Sequence, residues 1–484
     1  MAKKILAMLL ASAMVLSFAG CNKESGNQGG GNQGGNNAGN NEGGNEGGGN
    51  EGGGNEGGGD EQTTTTPANV VEGDASAEDA IVIWTWNTDI KAILDGVLKD
   101  VNPDLYNRIV YVNTGGSDYY QDKLDNILGD PSNELYPDIV ALEADYILKY
   151  TGGQNLANIA DLGITASDYA KEYQYTIDIG TSPSGDLKAL SWQAAPGAWV
   201  IRTDLAEKYL GTTDPKEVQA FFKDWDAVYE TAKKIKADSG DETRLVPGYD
   251  DLMRVYMGAR KDGWYGSDNK LVIDPAMLEY MDYAKKFQDE ELTWGTTQWG
   301  PEWVASKNND SVLALPGCTW YTYWSTDTNH FGSYILVEGP QAYPWGGTWL
   351  AATAGYNTAI KDDVAQIIKY FTCDTDFMIK INDANADYVN NTDAIQDRID
   401  NNVVAVLDGK EILSAAQGET FIAFFARSGI ENINGKLLTA RDATLNSLFS
   451  TQVDAYVQGT KDKDAAIADF KAAAADTFSW LSVD

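Results

Sequence analysis

Cysteine and histidine are the scarcest chemical groups in this chain: its 484 residues include three cysteines and one histidine, His330. A His-rich zinc site, a Ser-His-Asp triad and a Cys-His pair each need histidine beside another specific group, so a single histidine argues against all three. Cys318 and Cys373, with flanks PGC and FTC, show no framework spacing and read as two free thiols rather than a disulfide. Positive charge is also thin, with 36 Lys and Arg against 72 Asp and Glu and a formal net charge of -36. So acidic a surface repels nucleic acid and anionic membranes, and no basic run overrides it. That leaves neutral molecules, or a basic patch on another protein, as partners. Beyond the N-terminus there is no apolar run long enough to span a bilayer, and no internal repeat. Residues 385–402, rich in Asn and Asp, fall short of the alternation a calcium loop demands, so no metal or other cofactor is expected.

Residues 1–20 have the order of a secretory signal peptide: Lys3 and Lys4, an apolar run over 5–18, then LSFAGC. Residues 21–79 form a second non-globular stretch, with repeats such as NEGGGNEGGG followed by four threonines. Such a composition cannot bury a core and is expected to be a disordered linker. About 50 flexible residues reach roughly 40 Å end to end.

The globular chain opens with AIVIWTW, a buried-strand pattern at 80–86, and Asn87, Thr88 and Asp89 then cap a helix over 90–99. A strand at 108–112, a helix at 119–128 and a strand at 137–142 complete the βαβ pattern of a parallel sheet. Ligands of such sheets sit at the carboxyl ends of the strands, here 85–89, 113–117 and 143–146. The stretch ALSWQAAPGAWVIRTD, residues 189–204, is interrupted at Ala195, Pro196 and Gly197. Proline withdraws a donor and glycine frees the backbone, so the segment reads either as a passage from one lobe to another or as a kinked strand within one domain. Downstream the spacing predicts helices over 214–238, 275–288, 362–371, 393–407, 436–449 and 464–478, with a short strand at 311–315.

Fourteen tryptophans and twenty-five tyrosines stand out, several of them in loops. Trp84 and Trp86 flank a strand end; Trp264 and Tyr265 follow a glycine; Trp294 and Trp299 lie in TWGTTQWGPEW; Trp320, Tyr321, Tyr323 and Trp324 make up CTWYTYW; Tyr343, Trp345 and Trp349 surround two glycines. A flat ring covers the apolar face of a pyranose while carboxylates and amides meet its hydroxyls, so this mixture suits sugar binding; the alternative for any one ring is simple core packing. Asp89, Glu143, Asp145 and Glu302 also permit a glycoside hydrolase, which needs two carboxyls about 5 to 9.5 Å apart. A wall-associated carbohydrate-binding adhesion module would use the same aromatics.

Cys21, directly after the small residues of LSFAG, resembles the lipobox of bacterial lipoproteins, which implies cleavage before Cys21 and acylation of it. Together with the polar linker, the segments IVIWTWN, PDIVALEADYILKY, SWQAAPGAWVIRTDLAEKYLGTTDP and WGGTWLAAT resemble the extracellular solute-binding proteins (family 1, maltose-binding-protein-like) of bacterial carbohydrate ABC importers. The resemblance runs over 81–481. It implies an α/β, two-lobe periplasmic-binding-protein-like fold of type II, a hinge of two or three crossover strands, and a ligand in the inter-lobe cleft. It implies a lipid-anchored, monomeric protein on the extracellular face of the cell membrane that hands a sugar to permease subunits and does no chemistry on it. Lobe one is then expected at 80–192 with 343–385, and lobe two at 194–338 with 386–484. Carried over by motif, Trp86, Asn87, Thr88 and Asp89 form the first ligand loop, and Asp145, with Glu143 beside it, is the acid that accepts from sugar hydroxyls. Trp320 is the stacking aromatic, with Tyr321 next to it, and Gly346, Gly347 and Thr348 with Trp345 form the loop after the return crossover. Trp192, Gln193 and Trp264 extend the expected site. Ile90 follows Asp89 where maltose-binding protein has a lysine beside its acid, so specificity for maltose does not carry over. The abundance of rings points to an oligosaccharide, and an acidic sugar held by Arg202, Arg254 or Arg260 stays open.

Overall fold

The computed structural model describes residues 68–483 apart from Ser325 and Asp408. The expected signal peptide, almost all of the linker and Cys21 lie outside the described residues.

Two sheets organise the chain. The larger has six strands: β1 (Val70–Glu72), β2 (Ile81–Thr85), β3 (Ile109–Asn113), β4 (Ile139–Glu143), β5 (Leu190–Ser191) and, much later in sequence, β9 (Thr348–Ala352). Their spatial order is β1-β3-β2-β4-β9-β5, with β2 parallel to both β3 and β4. β2 and β3 are buried along their whole length, as a parallel sheet covered on both faces requires. The helix Ser117–Leu128 makes the crossover from β3 to β4. β9 lies antiparallel between β4 and β5, with Glu143 opposite Thr348 and Ser191 opposite Trp349.

The smaller sheet holds β6 (Gly197–Arg202) between β7 (Ala314–Cys318) and β8 (Tyr334–Val337), all antiparallel. The break at 195–197 therefore separates two strands of two different sheets, not two arms of one kinked strand. Gly197 is required there: a Cβ would sit 2.3 Å from the Tyr343 ring, whose hydroxyl donates to Ala198 O and Gly317 O. The chain crosses back between β8 and β9, where Gly197 N donates to Tyr343 O and Trp345 N to Ala195 O. A third passage runs beside these, with Ala194 N donating to Tyr388 O and Asn390 N to Trp192 O.

Several expectations shift. The helix expected over 214–238 is two, Pro215–Gln219 and Trp225–Ser239, because Asp224 accepts from Ala227 N and starts a new helix. The strand expected at 311–315 sits three residues later, at the edge of its sheet, where Pro316 needs no ladder donor. The helix expected over 393–407 stops at Asp400 (Thr392–Asp400), and a small hairpin, β10 (Val406–Leu407) and β11 (Lys410–Glu411), follows. The one over 436–449 is a single 3-10 turn, Gly435–Leu437, and then the helix Asp442–Val457. CTWYTYW, counted among the loop aromatics, is the end of β7 running directly into the helix Thr319–Trp324. Among the described residues no helix is long and apolar enough to cross a membrane.

Candidate functional site

The carboxyl end of β4, the loop entering β9 and the helix following β7 converge on one glycine pair. Gly346 and Gly347 take φ of +73° and +113°, a region that suits glycine and strains other residues. A Cβ on Gly346 would lie 3.1 Å from Trp320 Nε1 and 3.3 Å from Glu143 Oε1, so the two side chains meet over its backbone. Trp320 Nε1 donates to Trp345 O at 2.9 Å, fixing the indole against the crossing. Behind Gly347 lies the carbonyl of Gln193, 3.6 Å from a Cβ placed there. Residues of both sheets and of two passages thus share one small region.

An aromatic wall forms its second-sheet side. Trp299 and Trp320 lie nearly parallel, 19° apart with centroids 6.4 Å apart, and Trp345 stands edge-on to both, at 6.1 Å from Trp299 and 5.7 Å from Trp320. Trp299 and Trp320 keep part of their surface open, whereas Trp345 and Tyr321 are buried behind them. Trp299 holds φ of +69°, an unusual conformation for a bulky residue. Neighbouring hydrogen bonds secure it: Gln298 N donates to Asp250 Oδ2, and Gln298 Nε2 and Trp303 Nε1 donate to the fully buried Asp251. Burial, with Asp250 alongside, pushes the Asp251 carboxyl well above its ordinary range.

Carboxylates form the first-sheet side. Asp145 N donates to Glu143 Oε2 at 2.7 Å, and both oxygens of Asp145 accept from Arg254, each at 2.8 Å. Arg254 comes from the helix Met253–Gly258, so this bidentate pair spans from the first sheet to the second half, with the guanidinium 5.5 Å from the Trp345 ring centroid. Burial works against the charge on Asp145, yet Arg254 holds its carboxyl below the usual range. Glu143 is pushed up, by burial and then by Asp145. Farther along, Gln193 Nε2 donates to both oxygens of Asp387, and Asn87 Nδ2 donates to Asp89 Oδ2 at 2.7 Å. Burial and the Asp387 carboxylate raise Asp89 to about 7.

Of the residues expected from sequence, Glu143, Asp145, Trp320, Tyr321, Trp345, Gly346, Gly347 and Thr348 come together, with Gln193, Asn87 and Asp89 on the adjoining edge. Three tryptophans do not. Trp86 is packed edge-on between Tyr120 and Tyr146, at 5.3 and 6.1 Å. Trp192 is fully buried in the crossing and presents no surface. Trp264 fills the helical core between Phe449 and Phe470, with its Nε1 donating to Asn446 Oδ1. Each indole is placed by the apolar surface around it, which local sequence does not reveal. Asp387 is the addition; Trp299, named only among the loop aromatics, and Arg254, named only as a possible anchor for an acidic sugar, prove to stand beside the expected residues. Trp299 has a local signal in its glycine-flanked loop; Asp387, and the pairing of Arg254 with Asp145, depend on tertiary meeting alone.

No protein-family model and no curated protein matches the chain. Solved structures do match in fold. A crystal structure of an extracellular solute-binding protein family 1 member aligns with a TM-score of 0.68 at 16% identity, covering 82% of this chain and 99% of that one. The ABC-transporter-associated binding protein of B. animalis subsp. lactis, in complex with beta-1,6-galactobiose, aligns at 0.65 and 19% identity, covering 84% and 99%. The galacto-N-biose/lacto-N-biose I-binding protein of the ABC transporter from Bifidobacterium longum, in complex with lacto-N-biose, aligns at 0.64 and 14% identity, covering 84% and 100%. The chain has the two-lobe α/β fold of these binding proteins.

Proposed function

We propose that this chain is the carbohydrate-capturing component of an ABC importer: it binds a sugar, an oligosaccharide rather than a monosaccharide, and delivers it intact to permease subunits. The observation that carries this reading is the meeting of two partly exposed indoles, Trp320 and Trp299, with the carboxyls of Glu143 and Asp145 at a glycine pair on the crossing between sheets. Rings cover the apolar face of a pyranose, and carboxylates and backbone amides satisfy its rim. Lobe one comprises 80–192 with 343–385 and lobe two 194–338 with 386–484, closing on the sugar about the three passages. Acyl chains on Cys21 hold the monomer at the extracellular face of the membrane, with the polar linker as tether. Because Asp145 is engaged by Arg254, the carboxyl pair suits holding hydroxyls better than hydrolysis.

Calorimetry against a panel of oligosaccharides, with each sugar recovered afterwards, tests the reading. Micromolar one-to-one binding is expected, with the matching monosaccharide at least about tenfold weaker and the recovered sugar uncut. Equal affinities for oligosaccharide and monosaccharide would remove the oligosaccharide claim, and cleavage would move the carboxyls into catalytic roles. Trp320→Ala should weaken binding while leaving the unfolding midpoint nearly unchanged.

A further inference from the structure

Arg202, Arg254 and Arg260 differ in how far the chain has already used their donors. Arg202 is spent: Nε and Nη2 donate to Asp204, Nη2 also to Asp310, and Nη1 to Asn309 O. Arg254 donates through Nη1 and Nη2 only, both to Asp145, which leaves its Nε edge free. Arg260 is 5% exposed; it donates through Nε to Met257 O and through Nη2 to Asp442, while its Nη1 is buried without a partner. A guanidinium nitrogen shut away from water with nothing to accept its hydrogens is costly, so its position calls for an acceptor.

Arg254 and Arg260 line one cavity, together with Asp145 and Gly346 of the candidate site and the apolar side chains of Met257 and Leu437. Its free volume is about 40 Å³, room for about three water-sized atoms and too little for a sugar ring. Two guanidinium groups and a single carboxylate line it, and Asp442, which offsets Arg260, is not among the lining residues. Glu143, beside Asp145, is raised to about 8, by burial and then by Asp145, so at neutral pH it holds a proton and brings no repelling charge. The chain's net charge of -36 disfavours an anion at long range, but ordinary salt screens that field beyond about 10 Å.

Resting on the carbohydrate-binding reading above, we infer that this cavity is a carboxylate subsite: Nε of Arg254 and Nη1 of Arg260 take the acid group of a uronic acid at one end of the captured oligosaccharide, whose ring stays outside at the glycine pair. A guanidinium has more than one edge that matches a carboxylate. Arg254 gives its terminal edge to Asp145 and its Nε edge to the ligand, so the sugar acid binds without displacing Asp145. The oxygens of Asp145 each keep a lone-pair direction for a hydroxyl of the same sugar. Apolar lining excludes water from the acid group, which strengthens its charge-assisted bonds.

The experiment titrates the purified full-length protein by calorimetry with neutral di- and trisaccharides, each beside a matched member whose terminal residue is a uronic acid, and with sodium acetate alone. The uronate is expected to bind at least about tenfold more tightly than its neutral partner. Replacing Arg260 by itself strands the buried Asp442, so the variant carries both Arg260→Gln and Asp442→Asn. It should lose the tenfold preference for the uronate and hold the neutral sugar within about twofold. Wild-type protein that binds the uronate no more tightly than the neutral sugar overturns the inference while leaving carbohydrate capture intact. So does acetate binding with no preference for the uronate, which makes the cavity a site for a free anion only. A preference retained in the double variant places the acid elsewhere and overturns the inference too. Binding of no sugar at all overturns both readings. Should the double variant fail to fold, the wild-type comparison of neutral and uronate partners decides alone.

Discussion

Asp89 shows how a single carboxyl couples this fold to pH. It lies at the carboxyl end of β2, takes a hydrogen bond from Asn87 and faces the charge of Asp387. Burial is the first cause of its raised pKa, about 7 in the folded protein against about 4 in an unfolded chain. The folded protein therefore keeps this proton over a range in which the unfolded chain has lost it. Stability contributed by Asp89 is complete below about pH 4 and is lost as pH rises towards about 7. Asp89→Asn escapes that loss. In thermal unfolding followed across pH 4 to 8, the variant's midpoint should gain on the wild type up to about pH 7 and run parallel above it. A constant offset across the range would show that Asp89 titrates normally.

Between residue and molecule, the loop from Thr296 to Gly300 and the start of the helix Pro301–Lys307 support one side of the site. Asp251 accepts from Gly248 N at 2.9 Å, Gln298 Nε2 at 2.8 Å and Trp303 Nε1 at 3.0 Å, which holds Trp299 in its left-handed conformation parallel to Trp320. Removing one acceptor strands three donors, two of them flanking the ring that offers itself to a ligand. Asp251→Ala should cost about 2–3 kcal/mol in urea unfolding and weaken sugar binding as well, since Trp299 loses its support. Full stability with full affinity would show that the loop holds its shape without Asp251. At this scale much was readable from sequence. The apolar runs of β2 and β4 declare themselves because both faces of the sheet are covered, and Pro196 with Gly197 marks the passage because a strand cannot ladder through them. Strand β8 has no such signal: YILV is too short to separate from the interior of a helix. Trp264 and Trp320 are also alike as letters in the chain. Only assembly decides that one is walled in by Phe449 and Phe470 and the other stays partly exposed beside Gly346. The reach of Arg254 to Asp145, 109 positions away, is beyond any local pattern.

Taken whole, the molecule is threaded so that its first sheet is closed by one of its later strands. β4 and β5 do not touch each other; β9 fills the gap between them, and it is made only after the entire second sheet. During synthesis residues 80–192 thus emerge with the inner edge of β4 unpaired, and they must wait for some 150 further residues before that edge is satisfied. A nascent chain so arranged cannot lock its first half early. It stays open until most of its length is available, the condition under which a polypeptide can still be threaded through a narrow channel. Chains released at residue 340 should leave 80–192 open to brief proteolysis, whereas chains released at residue 391, which include β9 and the helices packed on it, should protect that segment. Equal protection in both would mean that β4 and β5 find another way to close, and that the order of manufacture places no constraint on when this protein becomes compact.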